Sequence, residues 1–394
     1  MERIGIYGGT FNPPHIGHML AAAQATRLLR LDRLLLIPDR IAPHKVLPEG
    51  SASPEQRLEM LFIAAAGIEK AEVSDLELRR EGTSFTYLTI LELKRLYPEA
   101  ELVLIMGTDM FLSFDSWRET KIITDNATLG VLYRGEKGEK DAIDAKRTEM
   151  EAKGVRVELI ENKVTAISST DLRRMLIFGC ADPFLPEGVG SYIRSNGLYG
   201  CGRNYRDLAA GDLEQTVISL LKPNRVAHVL GCRDTAVALA RHWGADETDA
   251  ARAGLLHDIT KAIDVPLQLT LCGEYGTILD DFSKRYPKTL HALTGALVAE
   301  RVFGEKEAVV NAIRHHTTGK AGMELLEKII YLADYIEPNR VLPGIETLRH
   351  LAFTDLDAAL KMGLQMTISY LNEQGSEVSP ESREALAWLT GKEE

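Results

Sequence analysis

The sequence predicts an α/β domain built on a parallel sheet, followed by an all-α domain. The chain has 394 residues, more than one ordinary hydrophobic core needs. Up to about residue 200, short apolar runs alternate with helical patterns, and beyond it apolar residues recur only at three- and four-residue spacing. The glycine- and arginine-rich stretch 200–206 separates the two patterns, so the predicted domains are residues 1–200 and 206–394.

Strands alternating with helices in the first half are typical of βαβ units, whose ligands bind beyond the carboxyl ends of the strands. The predicted strands span residues 4–7, 33–37, 102–106, 128–133 and 155–160, and the helices 18–30, 54–66 and 86–97. In the second half we predict no strand. The predicted helices there span residues 208–221, 224–243, 249–258, 291–303, 307–315, 323–336 and 355–373.

The composition is that of a globular protein, with 45% hydrophobic and 26% charged residues. A net charge of −11 argues against a general nucleic-acid binder. The four cysteines are scattered and are expected to be reduced thiols. No apolar run approaches the ~20 residues of a membrane span, and a strand-like segment follows the first residues directly, without a targeting signal. We therefore expect a cytoplasmic protein that binds neither nucleic acid nor membrane, and leave homo-oligomer formation open.

The segment GGTFNPPHIGHM, residues 8–19, follows the first predicted strand and begins the first helix. Gly8 and Gly9 allow a ligand to approach the backbone closely. A helix N-terminus attracts anions through its free N–H groups, and His15 and His18 add donors for charge developing on a phosphate. Gly17, which lies between the two histidines, has no side chain that would obstruct the ligand. The segment therefore predicts a phosphate site.

A second anion-binding helix start is predicted in ISSTDLRRML, which begins at Ile167. Ser169 and Thr170 lie where helix caps belong. Arg173, one turn inside, adds a guanidinium to the same phosphates.

These motifs resemble those of the nucleotidyltransferase superfamily, and specifically of bacterial nicotinate-nucleotide adenylyltransferases, over essentially the whole first half. HIGH resembles the (T/H)-x-G-H signature, and PHK, from Pro43, the second loop of the family. TSFTYLTI, MGTDMFLSFDSW and ISSTDLRRML resemble the S-x-T-Y-x-T, I-G-x-D…W and I-S-S-T-x-x-R motifs. Phe85, Met106 and Thr108 depart from the usual residues.

The resemblance implies a Rossmann-like nucleotidyltransferase domain that transfers AMP from ATP to nicotinate mononucleotide, with Mg²⁺ carried on ATP. His18, with His15 beside it, would be catalytic, Lys45 and Arg173 would hold the triphosphate, and Trp117 would stack on the pyridine ring. The other implied binding residues are Gly8, Gly9, Thr10, Phe11, His44, Thr86, Gly107, Asp109, Arg134, Ser168, Ser169 and Thr170. Nicotinamide mononucleotide or phosphopantetheine is the rival acceptor, although Trp117 and residues 83–89 favour the pyridine nucleotide.

Histidines concentrate in the second half of the chain. His257 and Asp258 are adjacent at a predicted helix end, where they can share a metal and the carboxylate can bridge to a second one. His228 precedes them on one helix, and His291 follows on another. Asp334 lies in the apolar run IIYLADYIE, where a carboxylate is costly unless it is paired or binds a metal.

The order H…HD…H…H…D resembles the HD phosphohydrolase superfamily. AIRHHTTG and KIIYLADYIEPNR are similar to its YqeK family of symmetrical diadenosine tetraphosphate hydrolases, over roughly residues 206–351. The resemblance implies hydrolysis of diadenosine tetraphosphate to two ADP at two divalent metals, with Asp258 in a catalytic, bridging role. Nitrogen and oxygen ligands suit iron or manganese, and zinc and cobalt stay open. The implied ligands are His228, His257, Asp258, His291, His316 and Asp334.

Within HHTTG we assign the ligand to His316, since the residue before it is often aromatic in the family. Lys261, Thr317 and Arg340 are candidates for binding the polyphosphate. Two alternatives remain for this half: a generic HD nucleotidase acting on mononucleotides, and a non-catalytic module that senses nucleotides.

Overall fold

The computed structural model describes residues 1–43, 47–133, 138–162 and 167–391. The chain forms two compact units, Met1–Arg203 and Asn204–Glu394. Over the described residues, no helix is both long and apolar enough to cross a bilayer.

The first unit contains a six-stranded sheet in the order β3-β2-β1-β4-β5-β6, in which all neighbours are parallel. Its strands are β1 (Arg3–Gly9), β2 (Arg33–Pro38), β3 (Ala71–Val73), β4 (Glu101–Gly107), β5 (Ala127–Tyr133) and β6 (Val157–Glu161). The chain builds outward from β1 to β3, returns to β4 beside β1, and builds outward again. The carboxyl ends of β1 and β4 therefore meet at the point where the strand order reverses, which is where such sheets bind ligands.

Helices connect these strands. Those described in the first unit are α1 (Ile16–Leu28), α2 (Pro54–Ala65), α3 (Thr86–Leu96), α4 (Thr108–Leu112), α5 (Thr120–Asn126), α6 (Glu139–Ala152), α7 (Ser169–Ile177) and α8 (Val189–Ser195). The core contains buried strand residues such as Ile4, Leu104 and Leu129, which are fully or almost fully buried.

The second unit is helical over its described residues. Its helices are α9 (Ala210–Leu220), α10 (Pro223–Trp243), α11 (Glu247–Leu256), α12 (Val265–Glu274), α13 (Asp281–Arg285), α14 (Leu290–Arg301), α15 (Glu307–His315), α16 (Leu325–Ile336), α17 (Ile345–Ala352), α18 (Leu356–Glu373) and α19 (Pro380–Thr390). Helix α10 packs on α11 and α16, while α15 packs on α11, α14 and α16. A Cβ on Gly254 would lie 2.7 Å from the Cα of Arg233, so glycine lets α10 and α11 approach closely.

The predicted fold class, a parallel α/β domain followed by an all-α domain, is confirmed. Several elements were not predicted, namely β3, α4, α5, α6, α8, α12, α13, α17 and α19. Strand β3 has three residues, none of them fully buried, which is too short for a periodic signal. Helix α6 is mostly charged and buries only Ile143 and Met150, so it lacks an apolar stripe.

Candidate active sites

The N-terminus of α1 is capped by two histidines, and the ring of each accepts the backbone N–H of the other. His15 is the N-cap residue, and its Nδ1 accepts the backbone N–H of His18 at 3.3 Å. The Nδ1 of His18 accepts the backbone N–H of His15 at the same distance. The two rings stack with centroids 3.6 Å apart. HIGH is therefore a reciprocal capping box in which imidazoles replace the usual hydroxyl and carboxylate.

This arrangement fixes where the ring protons lie. Because each Nδ1 accepts a hydrogen bond, the proton of each neutral ring is on Nε2. Burial lowers the pKa of His15 to about 4, so this ring is neutral near pH 7. Both histidines therefore present an Nε2–H donor beside the carboxyl end of β1.

The start of α7 lies against the same loop. The Arg173 guanidinium donates to the carbonyl of Asn12 at 2.8 Å, and the Ser169 hydroxyl donates to the carbonyl of Pro13 at 3.4 Å. Burial lowers the pKa of Arg173. The cap of α7 is Ser168, which accepts the N–H of Asp171, so the prediction of Ser169 and Thr170 as caps was wrong by one and two residues. Two helix starts thus converge on residues 8–19.

A buried ion pair between Arg57 and Asp39 contacts this loop. Arg57 has no exposed surface and contacts Asp39 at 3.2 Å. It also donates to the carbonyl of Thr10 at 2.6 Å, while the Thr10 hydroxyl donates to Asp39 at 2.7 Å. The Tyr199 hydroxyl donates to the side chain of Asn12 at 2.7 Å. Together these bonds hold Thr10 and Asn12 of the loop in place.

A second group of predicted residues lies around the start of α3. Thr86 is the first residue of this helix, and its N-cap residue, Phe85, makes no side-chain capping bond. The Arg118 guanidinium lies 5.1 Å from the centre of the Phe85 ring. Trp117, next to Arg118, is half-buried and packs against the sheet core. The TSFTY and DSW motifs are therefore neighbours in the fold.

In the second unit, the helices that pack together place four imidazoles around Asp258. This carboxylate is 1% exposed. Its Oδ2 lies 3.6 Å from the Nε2 atoms of both His228 and His257. Its Oδ1 lies 3.4 Å from Nε2 of His291 and 3.8 Å from Nε2 of His316. Each oxygen of one carboxylate thus faces its own pair of histidines.

Asp334 extends the first of these pairs. Its Oδ1 lies 3.1 Å from Nε2 of His228 and 3.9 Å from Nε2 of His257. Although burial opposes ionisation, the neighbouring His228 imidazole and the charge of Arg340 keep the pKa of Asp334 well below its usual range. One ligand atom from each of His228, His257 and Asp334 lies within 4.8 Å of the others, and the same holds for His257, Asp258 and His316.

The outer nitrogen of each histidine has a partner of its own. Nδ1 of His257, His291 and His316 lies 2.7–3.0 Å from the carbonyls of Gly254, Lys288 and Ile313, respectively. Because a carbonyl only accepts, these Nδ1 atoms carry the protons, and the Nε2 lone pairs point at the cluster. Burial lowers the pKa of all three rings, which keeps them neutral. Neutral imidazoles and carboxylates are a donor set that fits divalent transition metals.

Three cationic side chains surround the cluster. Arg225 contacts Asp258, Arg340 contacts Asp334 at 2.9 Å, and Lys261 contacts His291 at 2.9 Å. Burial lowers the pKa of Lys261 to about 8. Within the described residues, the Thr317 hydroxyl is buried without a hydrogen-bond partner.

Comparisons with known proteins match a different family in each of the two units. The Cytidylyltransferase-like family profile matches residues 6–175, and the HD domain profile matches residues 225–339. A "Probable nicotinate-nucleotide adenylyltransferase" of Borreliella burgdorferi is 35% identical over 50% of this chain and 96% of its own length. A symmetrical bis(5'-nucleosyl)-tetraphosphatase of Halalkalibacterium halodurans is 42% identical over 42% of this chain and 90% of its own. The chain therefore belongs to the family of each relative: to the nicotinate-nucleotide adenylyltransferases in its first unit, and to the symmetrical bis(5'-nucleosyl)-tetraphosphatases in its second.

It is thus an enzyme with a nucleotidyltransferase unit and an HD phosphohydrolase unit. A solved structure of a predicted HD superfamily hydrolase involved in NAD metabolism, from Clostridium acetobutylicum, is 37% identical and covers 47% of this chain and 99% of that chain, with a TM-score of 0.46.

The remaining predicted residues of the nucleotidyltransferase unit divide into three groups. Gly8, Gly9 and Gly107 lie at the adjoining ends of β1 and β4. Phe11 is buried, with its ring 5.0 Å from that of His18, and Asp109 is exposed in the first turn of α4. Outside the described residues lie His44, Lys45 and Arg134.

In the HD unit, the structure separates the two neighbouring histidines of HHTTG. His316 faces Asp258, whereas Nδ1 of His315 lies 2.9 Å from the buried carboxylate of Glu327. Sequence reasoning missed Arg225, which lies in the first turn of α10 without a motif around it, and Glu337. Glu337 lies in the apolar run IIYLADYIE, and a second acidic residue in that run was the signal that could have identified it.

Proposed function

We propose that the nucleotidyltransferase unit, carried by residues 1–200, transfers AMP from ATP to nicotinate mononucleotide and releases pyrophosphate. We propose further that the HD unit, carried by residues 206–394, hydrolyses diadenosine tetraphosphate to two ADP. The first assignment rests on the two helix starts and two Nε2–H donors that converge on one loop. The second rests on Asp258, whose two oxygens each face two histidines.

In the transferase reaction, a phosphate oxygen of the mononucleotide attacks the α-phosphorus of ATP, and the bond from that phosphorus to the bridging oxygen of pyrophosphate breaks. The phosphate nucleophile is already ionised near neutral pH, so no general base is needed. The Nε2–H groups of His15 and His18 donate to oxygens whose negative charge grows in the transition state. Arg173, with the start of α7, holds the phosphates of ATP, and Lys45 is proposed to assist. Mg²⁺ carried with ATP neutralises charge on these phosphates.

The acceptor is proposed to bind between Trp117 and the start of α3. Trp117 presents a half-buried ring on which a pyridine can stack. The N-cap residue of α3, Phe85, makes no side-chain capping bond, so the N–H groups of Thr86 and Tyr87 can donate to a carboxylate. This favours nicotinate, which is anionic, over nicotinamide.

In the HD unit, the neutral histidines, Asp258 and Asp334 are proposed to hold two divalent ions, with iron or manganese favoured by the ligand set. When bound, such ions supply Lewis acidity and an activated water. Hydrolysis adds water to one of the two central phosphorus atoms and breaks the central P–O–P bond, and the leaving ADP keeps the bridging oxygen. Lys261, Arg340 and the unpartnered hydroxyl of Thr317 are proposed to bind the phosphate chain.

Product analysis of the purified chain tests both assignments. With ATP and nicotinate mononucleotide we expect deamino-NAD and pyrophosphate, and with nicotinamide mononucleotide much less product. With diadenosine tetraphosphate we expect ADP alone. Release of ATP and AMP would contradict symmetrical cleavage. A chain that binds the tetraphosphate without cleaving it, in the presence of metal, would instead support the sensing module.

A further inference from the structure

Glu337 is a buried carboxylate whose two oxygens are both occupied. It is 1% exposed and lies in the turn that follows α16. Its Oε2 accepts the backbone N–H of Asn339 at 2.7 Å and the side-chain amide of Asn339 at 2.9 Å. Its Oε1 lies 3.2 Å from Nδ1 of His228. Because a carboxylate accepts, this contact favours the His228 tautomer with its proton on Nδ1, and in that tautomer the Nε2 lone pair faces Asp334, Asp258 and His257, as a metal ligand requires.

His228 differs from the other histidines of the cluster in what its outer nitrogen contacts. His257 and His316 are the C-cap residues of α11 and α15, and each ring contacts a carbonyl of the last helical turn, where carbonyls are no longer bonded by the full helical pattern. His228 is the sixth residue of the 21-residue α10, where the nearby carbonyls are bonded within the helix. A group from another element must therefore orient it, and Glu337 supplies that group.

The surroundings of Glu337 hold it in place. A Cβ on Gly231 of α10 would lie 2.6 Å from Oε2, so only glycine leaves room for the carboxylate there. The Arg349 guanidinium donates to the carbonyls of Ile336, Glu337 and Arg340 at 2.9–3.1 Å. The turn that carries Glu337 is thus fixed from α17 as well as from α10.

We propose that Glu337 is a positioning residue that fixes the tautomer and orientation of His228 and strengthens its Nε2 as a ligand. The effect concerns the metal subsite formed by His228, His257 and Asp334, and the inference rests on the metal centre assigned under the proposed function. A carboxylate is a stronger acceptor for the Nδ1–H group than the carbonyls that serve the other rings, so it strengthens Nε2 of His228 as a metal ligand.

The test is a titration of the metal-free chain with Mn²⁺, with free Mn²⁺ measured by electron paramagnetic resonance. In Glu337→Gln, the amide cannot accept from both His228 and Asn339 without turning its own NH₂ toward one of these donors. We expect about 10–100-fold weaker binding of one Mn²⁺ and unchanged binding of the other. Hydrolysis should recover at saturating Mn²⁺, with little change in KM for the tetraphosphate.

The chain offers a matched control in Glu327→Gln. Glu327 is also buried, at 2% exposed, and Nδ1 of His315 lies 2.9 Å from it, but His315 is outside the cluster. This variant makes the same chemical change in a buried Glu–His pair of the same unit. We expect it to lower the melting temperature while both Mn²⁺ affinities stay at the wild-type value.

Equal Mn²⁺ affinities in Glu337→Gln, Glu327→Gln and the wild type would overturn the role of Glu337. If Glu337→Gln does not fold, Asn339→Ala removes one of the two donors to Oε2, and the same weakening in milder form is expected, so unchanged affinities there would overturn the role equally. Failure of the wild type to bind two ions would instead reject the proposed metal centre, which separates the two inferences.

Discussion

Replacing His18 with alanine removes a helix-capping bond and an Nε2–H donor, and the effects of these two losses can be measured separately. One is half of the capping box, the 3.3 Å bond from the His15 N–H to Nδ1 of His18, which contributes about 1 kcal/mol to stability. In a unit of this size, such a loss lowers the melting temperature by about 2–4 °C. The other is the Nε2–H donor, whose loss is expected to lower kcat by about 10²–10³-fold with little change in KM for either substrate.

A matched control separates the two effects. Helix α2 begins with the same kind of box, in which Ser53 and Gln56 cap each other through bonds of 3.2 and 2.9 Å. Gln56→Ala removes the corresponding residue and should cost similar stability while leaving kcat unchanged. Steady-state rates of pyrophosphate release and thermal melting would be measured on both variants. If His18→Ala loses only as much activity as Gln56→Ala, the histidine acts as a cap alone and the assigned role is refuted.

Three further outcomes are expected. Trp117→Ala should raise KM for the mononucleotide about fivefold, equal to ~1 kcal/mol of stacking, and equal effects on KM for ATP would mean that the ring only packs. Asp258→Ala should lose at least one of two metal ions by elemental analysis and reduce tetraphosphate hydrolysis to background, while adenylyl transfer stays near wild type because it belongs to a separate compact unit; surviving hydrolysis would exclude the cluster as the active site. His316→Gln should lose metal and hydrolysis, whereas His315→Gln should lose neither, and a reversal of that order would show that the ligand was assigned to the wrong histidine.

The sequence was informative where chemistry is concentrated in short segments. The motifs HIGH, HD and HHTTG identify candidate site residues directly. The periodicity of the flanking apolar residues shows whether each motif follows a strand or lies on a helix. It could not supply pairings that depend on packing between distant elements. Arg57 and Asp39 lie in a helix and after a strand with no local signal, yet together they hold the carbonyl and hydroxyl of Thr10.

The contact between Glu337 and His228 was hidden for the same physical reason. It joins residues 109 positions apart and depends on the space left by a glycine on α10. The orientation of the His257, His291 and His316 rings could not be predicted either, because their Nδ1 partners are backbone carbonyls whose position depends on where helices begin and end.

The reciprocal cap of α1 links the alignment of the two donors to the integrity of a single helical turn. If the first turn of α1 frays, both backbone N–H groups leave their Nδ1 acceptors together, and both rings become free to rotate or to change tautomer. Local opening of this turn therefore sets an upper limit on the fraction of molecules that are ready to react, independently of whether the unit as a whole is folded. The hydrogen-exchange rates of the His15 and His18 amides consequently report the readiness of the donors, at equilibrium and without substrate.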